Sequence, residues 1–384
     1  MVILFNGDIM KRIIIFVMSL LIFISMPVKI MAEDKEIKVK SSILMCMNTG
    51  DIISEENAYE HMSPASVTKI VSMLIILESI ESGKIGLDDM VAASENAVSK
   101  GGSQIWLEVG EQMSVNDLLK AVIIASANDA CTLLGEYIAG SDSAFVDMMN
   151  SRVKELGLKD SHFENCTGLD DEITNHYSCA YDLAVIASEV MKHEIVTQYS
   201  TVWLDSLRNG ETELNNTNKL VNKYNGITGL KTGTTSKAGF CLCATASRDG
   251  LNLVSVVLGA DTSDDRFQKS VNLLDYGFAN YKVEKFKIDE SKLTNVKVKN
   301  GVVKEIKPTA GDCGEIMLPK ASSEFEYEYK ISSEVKAPLK AGDELGTIVV
   351  SSSGKEISTI KLASDKNVDK ITFKYIFTHL LKNI

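Results

Sequence analysis

Between Val67 and Leu77 the chain reads Val-Thr-Lys-Ile-Val-Ser-Met-Leu-Ile-Ile-Leu, apolar on nearly every side of a helix. A helix without a polar face has to be wrapped by other elements, so this segment predicts a buried central helix. Ser63 is placed to cap it, Pro64 suits its first position, and Gly83 is placed to end it. Lys69 falls in the first turns of this helix, where an unpaired ammonium is costly. A fold built around such a helix needs a reason to keep that lysine.

The flanking patterns supply the wrapping. Glu33 to Met47 reads as a first strand, and Ser114-Val-Asn-Asp117 resembles a capping box opening a helix to about Ala125. Ser126-Ala-Asn-Asp-Ala130 punctuates it before a second helix to about Ala139. Strands follow at Leu230–Thr234, Phe240–Arg248 and Leu251–Gly259, the last two joined by an Asp249-Gly250 turn. A helix over roughly Asp264–Tyr281 closes the unit. Strands at both ends of a helical middle make an α+β domain. From Lys282 a Lys/Val alternation with Gly and Asn turns predicts a small β-sandwich of about 80 residues. From Val368 the tail turns helical, with Phe373, Ile376, Phe377, Leu380, Leu381 and Ile384 on one stripe. That pattern suits an amphipathic helix in a membrane interface.

The other end is a targeting segment. Lys11-Arg12 precede an apolar run from Ile13 to Met26, then Pro27 and Ile30-Met31-Ala32. This predicts a signal peptide over residues 1–32, with a retained membrane anchor as the alternative. Met10-Lys11-Arg12 is the more typical start, so residues 1–9 need not be translated. The expected domains are thus 1–32, 33–281, 282–366 and 367–384.

Composition removes whole function classes. A net charge of −12 leaves no electrostatic footprint for nucleic acid. The 5 His form no HExxH, and the 7 Cys no CxxC, so neither zinc nor a redox motif is expected. An odd cysteine count leaves at least one free thiol, and most of the seven are expected as small core residues, Cys241 and Cys243 sharing one strand face. No metal or nucleotide motif appears, and no cofactor is expected.

Histidine-dependent serine chemistry lacks its GxSxG elbow. Ser66-Val-Thr-Lys69 instead puts a hydroxyl and an amine one helical turn apart. The amine acts as a base only when neutral, and burial in an apolar helix lowers its pKa. Ser-x-x-Lys occurs five times in the chain, at Ser66, Ser151, Ser333, Ser352 and Ser358, but only at Ser66 does it open an apolar helix. Ser-x-Asn occurs four times, and only Ser126 sits at a helix junction. Lys-Thr-Gly occurs once, at Lys231, on a strand. The order and spacing, 60 and then 105 residues, carry more weight than any one motif.

With these motifs in place the chain resembles the low-molecular-mass penicillin-binding proteins, serine D-alanyl-D-alanine carboxypeptidases. The matching stretches are Ser63-Pro-Ala-Ser-Val-Thr-Lys69, Ser126-Ala-Asn-Asp-Ala130, His176-Tyr-Ser-Cys-Ala-Tyr-Asp-Leu-Ala184 and Gly229-Leu-Lys-Thr-Gly-Thr-Thr235. Ala337-Pro-Leu-Lys-Ala-Gly-Asp-Glu-Leu-Gly-Thr347 and the tail helix extend the likeness to nearly the whole mature chain.

The resemblance implies a penicillin-binding, β-lactamase-like catalytic domain, an exported protein, and a tail helix that associates with the membrane. It implies peptidoglycan stem peptides as substrate and β-lactams as covalent inhibitors. Residue by residue, it implies that Ser66 attacks the carbonyl between two D-alanines while Lys69 takes its proton. Ser126 relays a proton to the leaving D-alanine, and Asn128 holds the substrate amide. Lys231 and Thr232 bind the terminal carboxylate, and the N–H groups of Ser66 and Thr234 form the oxyanion hole. Arg266 is the first candidate for a second carboxylate contact, Arg208 the second, and Arg248 looks remote. Cys166 and Cys179 depart from the family's usual Thr, Ser or Pro. Glu172-Ile-Thr-Asn175 misses by one residue the Glu-x-x-x-Asn of class A β-lactamases, which argues against that rival. A catalytically silent wall-binding module is the other rival, and intact Ser66, Lys69, Ser126 and Lys231 argue against it.

Overall fold

The computed structural model describes residues 37–170, 174–311, 313–322, 324–352 and 354–381. The segment expected as a signal peptide, residues 1–32, lies outside the described residues.

The N-terminal domain is a five-stranded antiparallel sheet with helices on both faces. Its strands are β1 (Ser41–Cys46), β2 (Ile52–Glu56), β5 (Ile227–Thr235), β6 (Gly239–Arg248) and β7 (Leu251–Ala260), in the order β2-β1-β7-β6-β5. A separate hairpin pairs β3 (Leu204–Leu207) with β4 (Thr212–Asn215). The Asp249-Gly250 turn holds both residues at positive φ, 51° and 82°, as a two-residue hairpin requires.

Period-2 alternation sorts the sheet's two cores. Ile43, Met45, Cys241, Cys243, Val254 and Val256 face the helical layer. Leu44, Cys46, Leu242, Ala244, Leu253 and Val257 face a single long helix, Ser263–Asn280, through its Phe267, Leu274 and Phe278. β7 is central and buried on both sides, which is why it reads as a continuous apolar run. Cys241 and Cys243 share a face, and six of the seven cysteines are buried.

The helical layer surrounds α1 (Lys69–Glu81), which is buried along most of its length. Packed against α1 are α3 (Asn128–Ala139), α4 (Asp142–Glu155) and α5 (Ala180–Val190). The helix expected from Ser114 forms as α2 (Val115–Lys120), with the Ser114 hydroxyl accepting from the Asp117 N–H. It continues as a π-helical turn over Ala121–Ala125. One start differs from expectation: Ser63 does not cap α1. Its hydroxyl donates to Asp170 at 3.0 Å, and a 3₁₀ turn, Ala65–Thr68, precedes the helix.

Register puts the Lys-Thr-Gly strand against that turn. Lys231 lies opposite Cys243 and Gly233 opposite Cys241, so both share the face of the helical layer. A Cβ on Gly233 would come within 2.8 Å of the Pro64 carbonyl and 3.0 Å of the Ser66 nitrogen. The strand can approach Ser66 this closely only without a side chain.

From Tyr281 the chain builds a β-rich domain, including a three-stranded and a four-stranded sheet. Val296, Val298, Ile306, Leu345 and Val368 form one apolar cluster, and Ile348, Val350, Ile360 and Leu362 belong to another. The terminal helix spans Phe373–Leu381 and does not begin at Val368. Val368 is buried and paired with Leu339, so it belongs to the β-rich domain. Phe373, Ile376 and Phe377 are exposed. Among the described residues no helix is long and apolar enough to cross a membrane.

Gly233→Ala should cost about 1–3 kcal/mol through overpacking. Urea denaturation measures it; an unchanged midpoint would mean that the strand and the Ser66 turn are not held in contact.

Candidate active site

Ser66 sits in the 3₁₀ turn and Lys69 begins the helix, so the i, i+3 spacing brings both side chains together. Lys69 Nζ donates to Ser66 Oγ at 3.2 Å and to the Thr167 carbonyl at 2.7 Å. Lys69 is fully buried, and burial lowers its pKa to about 8, partly offset by Cys131, Cys166 and Asp129. A large share of the amine is therefore deprotonated near that pH, unlike an ordinary lysine.

The Thr167 carbonyl comes from a loop, residues 163–170, that sequence reasoning did not single out. Asn165 Oδ1 accepts from the N–H groups of Thr167 and Gly168, at 3.0 and 2.7 Å, and the Ser72 hydroxyl donates to the Cys166 carbonyl at 2.6 Å. Gly168 has φ +83°, and a Cβ there would fall 1.8 Å from the Ala65 carbonyl. Its signal in the sequence is the Asn165-Cys-Thr-Gly168 run, an Asx turn closed by glycine. His176 braces the same region. Its Nδ1 accepts from the Glu164 N–H at 3.1 Å, which leaves Nε2–H to donate to Thr68 Oγ1 at 2.8 Å. Burial pushes its pKa down to about 4, so the ring is neutral and this tautomer is fixed. Asp170 ties three segments together, accepting from Ser63 Oγ at 3.0 Å and Thr235 Oγ1 at 2.6 Å.

A second wall carries Ser126 and Asn128. The π-helical turn ends at Ser126 in the left-handed region, φ 64° and ψ 28°. Asn128 Nδ2 donates to the Gly101 carbonyl at 2.6 Å. Ser126 Oγ and Asn128 Oδ1 are buried without a hydrogen-bond partner among the described residues. Such groups are costly in a core and expected where a ligand supplies the partner. Asp129, next in sequence, is fully committed to structure and accepts from Ile105 N–H and Leu107 N–H. Thr217 joins this wall to β5: its N–H donates to the Ile124 carbonyl at 3.3 Å, and its hydroxyl accepts from Thr232 Oγ1 at 2.7 Å.

The third wall is β5. Lys231 is fully buried and donates to the Thr232 carbonyl at 3.1 Å. Burial, then the positive charges of Lys69 and Arg266, hold its pKa well below that of a free lysine. Thr234 is exposed, and its hydroxyl donates to the Gly233 carbonyl at 2.7 Å.

The three arginines separate. Arg266 is 8% exposed and donates to the carbonyls of Gly233 and Cys241 and to Thr234 Oγ1, at 2.9, 3.0 and 3.1 Å. Its Nε has no partner among the described residues. Arg208 is committed to Glu111 through two hydrogen bonds of 2.7 and 2.9 Å, and to the Ile105 carbonyl at 2.8 Å. That clamp holds β3 and β4 against the 105–111 segment. Arg248 stacks on Tyr224 and Phe278 and donates to the Asn225 carbonyl, away from Ser66. Glu172 lies outside the described residues. Among the described residues one group of side chains could hold a metal ion, Asp160, Cys179 and Asp182, but Asp182 already accepts from Asp160 N–H and Ser161 Oγ.

Comparison with known proteins agrees along the chain. The family described as D-alanyl-D-alanine carboxypeptidase matches residues 28–262, and the C-terminal domain of penicillin-binding protein 5 matches residues 281–370. D-alanyl-D-alanine carboxypeptidase DacF of Bacillus subtilis (strain 168) is 38% identical over 341 residues, covering 88% of this chain and 87% of that protein. The structure of penicillin binding protein 5 from Haemophilus influenzae superposes with a TM-score of 0.77 at 31% identity, over 86% of this chain and 98% of that one. Penicillin-Binding Protein D2 from Listeria monocytogenes, in its cefotaxime-bound form, gives a TM-score of 0.57 at 29% identity, over 62% of this chain and 97% of that one.

If Lys69 is the base for Ser66, the rate of acylation by a fluorescent penicillin should climb with pH and level off above about 8, where the amine is neutral. Stopped-flow labelling from about pH 6 to 9.5 measures this, and a flat profile would remove Lys69 as the titrating base.

Proposed function

The chain belongs to the D-alanyl-D-alanine carboxypeptidase family, and on that premise we propose that Ser66 is its nucleophile and Lys69 its general base. The activity is serine-type removal of the terminal D-alanine from peptidoglycan stem peptides, outside the cytoplasm, in a fold that binds β-lactams. One contact supports the residue assignment above all others: a buried lysine amine, depressed in pKa, 3.2 Å from Ser66 Oγ.

The steps follow from the three walls. Neutral Lys69 takes the proton as Ser66 Oγ attacks the carbonyl between the two D-alanines. The N–H groups of Ser66 and Thr234 hold the oxyanion; one such donor is typically worth about 3–4 kcal/mol. Ser126 passes a proton to the departing amine, and Asn128 Oδ1 accepts from the substrate amide. Lys231, Thr232 and the field of Arg266 receive the terminal carboxylate. That carboxylate supplies the negative charge that the cluster of two lysines and an arginine lacks. Water then hydrolyses the acyl-enzyme. A β-lactam follows the same first step and leaves a slow adduct.

The proposed organisation is a signal peptide over 1–32, a catalytic domain over 33–280, a β-rich domain over 281–372 and a membrane-associating tail from Phe373. The tail is supported by the exposed Phe373, Ile376 and Phe377, an apolar stripe suited to lying in a lipid headgroup layer.

Ser66→Ala should take up no fluorescent penicillin and release no D-alanine from a pentapeptide ending in D-Ala-D-Ala, a loss of at least about 10³-fold. Stoichiometric labelling of the variant would overturn the nucleophile assignment. Truncation after Thr372, which spares the Val368 core, should abolish co-sedimentation of the signal-free protein with anionic vesicles while leaving penicillin labelling intact. Undiminished vesicle binding would place the membrane contact elsewhere.

A further inference from the structure

Directly behind the serine–lysine pair lie two thiols. Cys131 is in the first turns of α3, five residues after Ser126, and Cys166 is next to Thr167 in the 163–170 loop. Both are buried, at 0% and 1% exposure. Cys131 Sγ donates to the Cys166 carbonyl at 3.4 Å across 35 residues of chain, and Cys166 Sγ lies 3.6 Å from the hydroxyl of Thr132, next to Cys131. That same carbonyl accepts from Ser72, and the following one, on Thr167, accepts from Lys69 at 2.7 Å. The sulfur pair thus links the helix that begins at Ser126 and Asn128 to the loop that holds the lysine amine.

We propose that Cys131 and Cys166 are a disulfide-forming pair whose bond pulls the Thr167 carbonyl away from Lys69 and slows acylation of Ser66. The oxidant is a disulfide donor, either a small one or a protein one. One cysteine thiolate attacks the donor's S–S bond, and the first donor thiol leaves. The second thiolate attacks the resulting mixed disulfide, and the second donor thiol leaves. The two cysteines lose two protons and two electrons, and the donor gains both pairs.

The direction of the movement follows from the packing. A disulfide holds its sulfurs about 2.05 Å apart, far closer than two unbonded thiols pack, so closure moves one partner by on the order of an ångström. Cys131 sits on a helix anchored in the core through Leu133, Leu134 and the close contact of Gly135 with Phe145. Cys166 sits on a loop held by hydrogen bonds from Ser72, Thr132 and within the Asn165 turn, and its thiol donates to Asp142 Oδ1 at 3.5 Å, a bond that closure gives up. The loop yields, and the carbonyl next to Cys166 moves with it. Displacing the partner that aims a catalytic amine by about 1 Å can cost up to about 100-fold in rate. The burial of both thiols makes the exchange slow, since the donor reaches them only when the loop opens. The rate effect rests on Lys69 acting as the base for Ser66.

The test uses the reduced full chain, incubated with oxidised glutathione under native conditions and also refolded in its presence. Remaining thiols are alkylated, and the digest is read by mass spectrometry beside fluorescent-penicillin labelling rates. The expected result is an intact mass lower by two hydrogens and joined peptides containing Cys131 and Cys166. Acylation should be at least about tenfold slower in this species and recover with dithiothreitol. Cys166→Ser, which keeps the backbone carbonyls, should be acylated at one and the same rate with and without glutathione; Cys131→Ala serves as the second variant. Unjoined peptides under both conditions, or glutathione adducts alone, overturn the proposal. Joined peptides with an unchanged acylation rate overturn it as well. Reduced wild type that takes up no penicillin overturns the serine–lysine assignment itself, a failure visible before any oxidant is added.

Discussion

A lysine amine sealed in an apolar core, with a hydroxyl and a carbonyl for partners, governs the layout of everything around it. Moving the Lys69 pKa from 10.5 to about 8 corresponds to a penalty on the order of 3 kcal/mol against the charged form. The apolar helix α1 creates that penalty and cannot be solvated without losing it. The surrounding helices, the 163–170 loop and the sheet face of Cys241 and Cys243 together provide the burial. Stability and reactivity are therefore linked here: the core that holds the fold together also lowers the pKa of the Lys69 amine.

The cost of this arrangement is contained by polar groups that are themselves closely held. His176, neutral and in one tautomer, fixes Thr68 beside Lys69. Asn165 shapes the loop so that the Thr167 carbonyl points at the amine. Asp129 accepts from the N–H groups of Ile105 and Leu107 and keeps the Asn128 wall in place. Against this background, the unsatisfied Ser126 Oγ, Asn128 Oδ1 and Arg266 Nε stand out. Ser126 and Asn128 lie on one wall and Arg266 braces β5, beside two buried lysines that form no ion pair among the described residues; the buried hydroxyls of Ser41, Ser255 and Ser270 are unsatisfied as well. In the proposed binding mode an anionic peptide terminus with an amide nearby supplies charge and hydrogen bonds there, so that substrate capture and electrostatic relief coincide.

Much of this was legible in the chain, and the legible parts share a cause. The α1 helix, the strands on either side of Asp249-Gly250, and the Ser126 junction are local patterns, set by residues within a few positions of each other. Where expectation and structure part, a distant residue intervened. Ser63 gave up its helix cap because Asp170 offered a bridge to Thr235. Val368 left the tail helix because Leu339 and the β-rich core took it up. Arg208 was a candidate for carboxylate binding until Glu111, far away in sequence, claimed its guanidinium on both sides. The Thr167 carbonyl was invisible because a backbone acceptor leaves no mark on residue identity, apart from the Asn and Gly that shape its turn.

By itself the sequence determined the elements, their alternating and helical faces, and the one-turn spacing of Ser66 and Lys69. Those properties depend on short-range sterics and on the periods of helix and strand. Only the tertiary structure decided which arginine is sequestered by a carboxylate and which sits beside Lys231. It also decided that Gly233 would lie against the Ser66 turn and that Cys131 would meet Cys166. Burial, electrostatic neighbourhood and close backbone approach are properties of space, and residues brought together from across the chain create them.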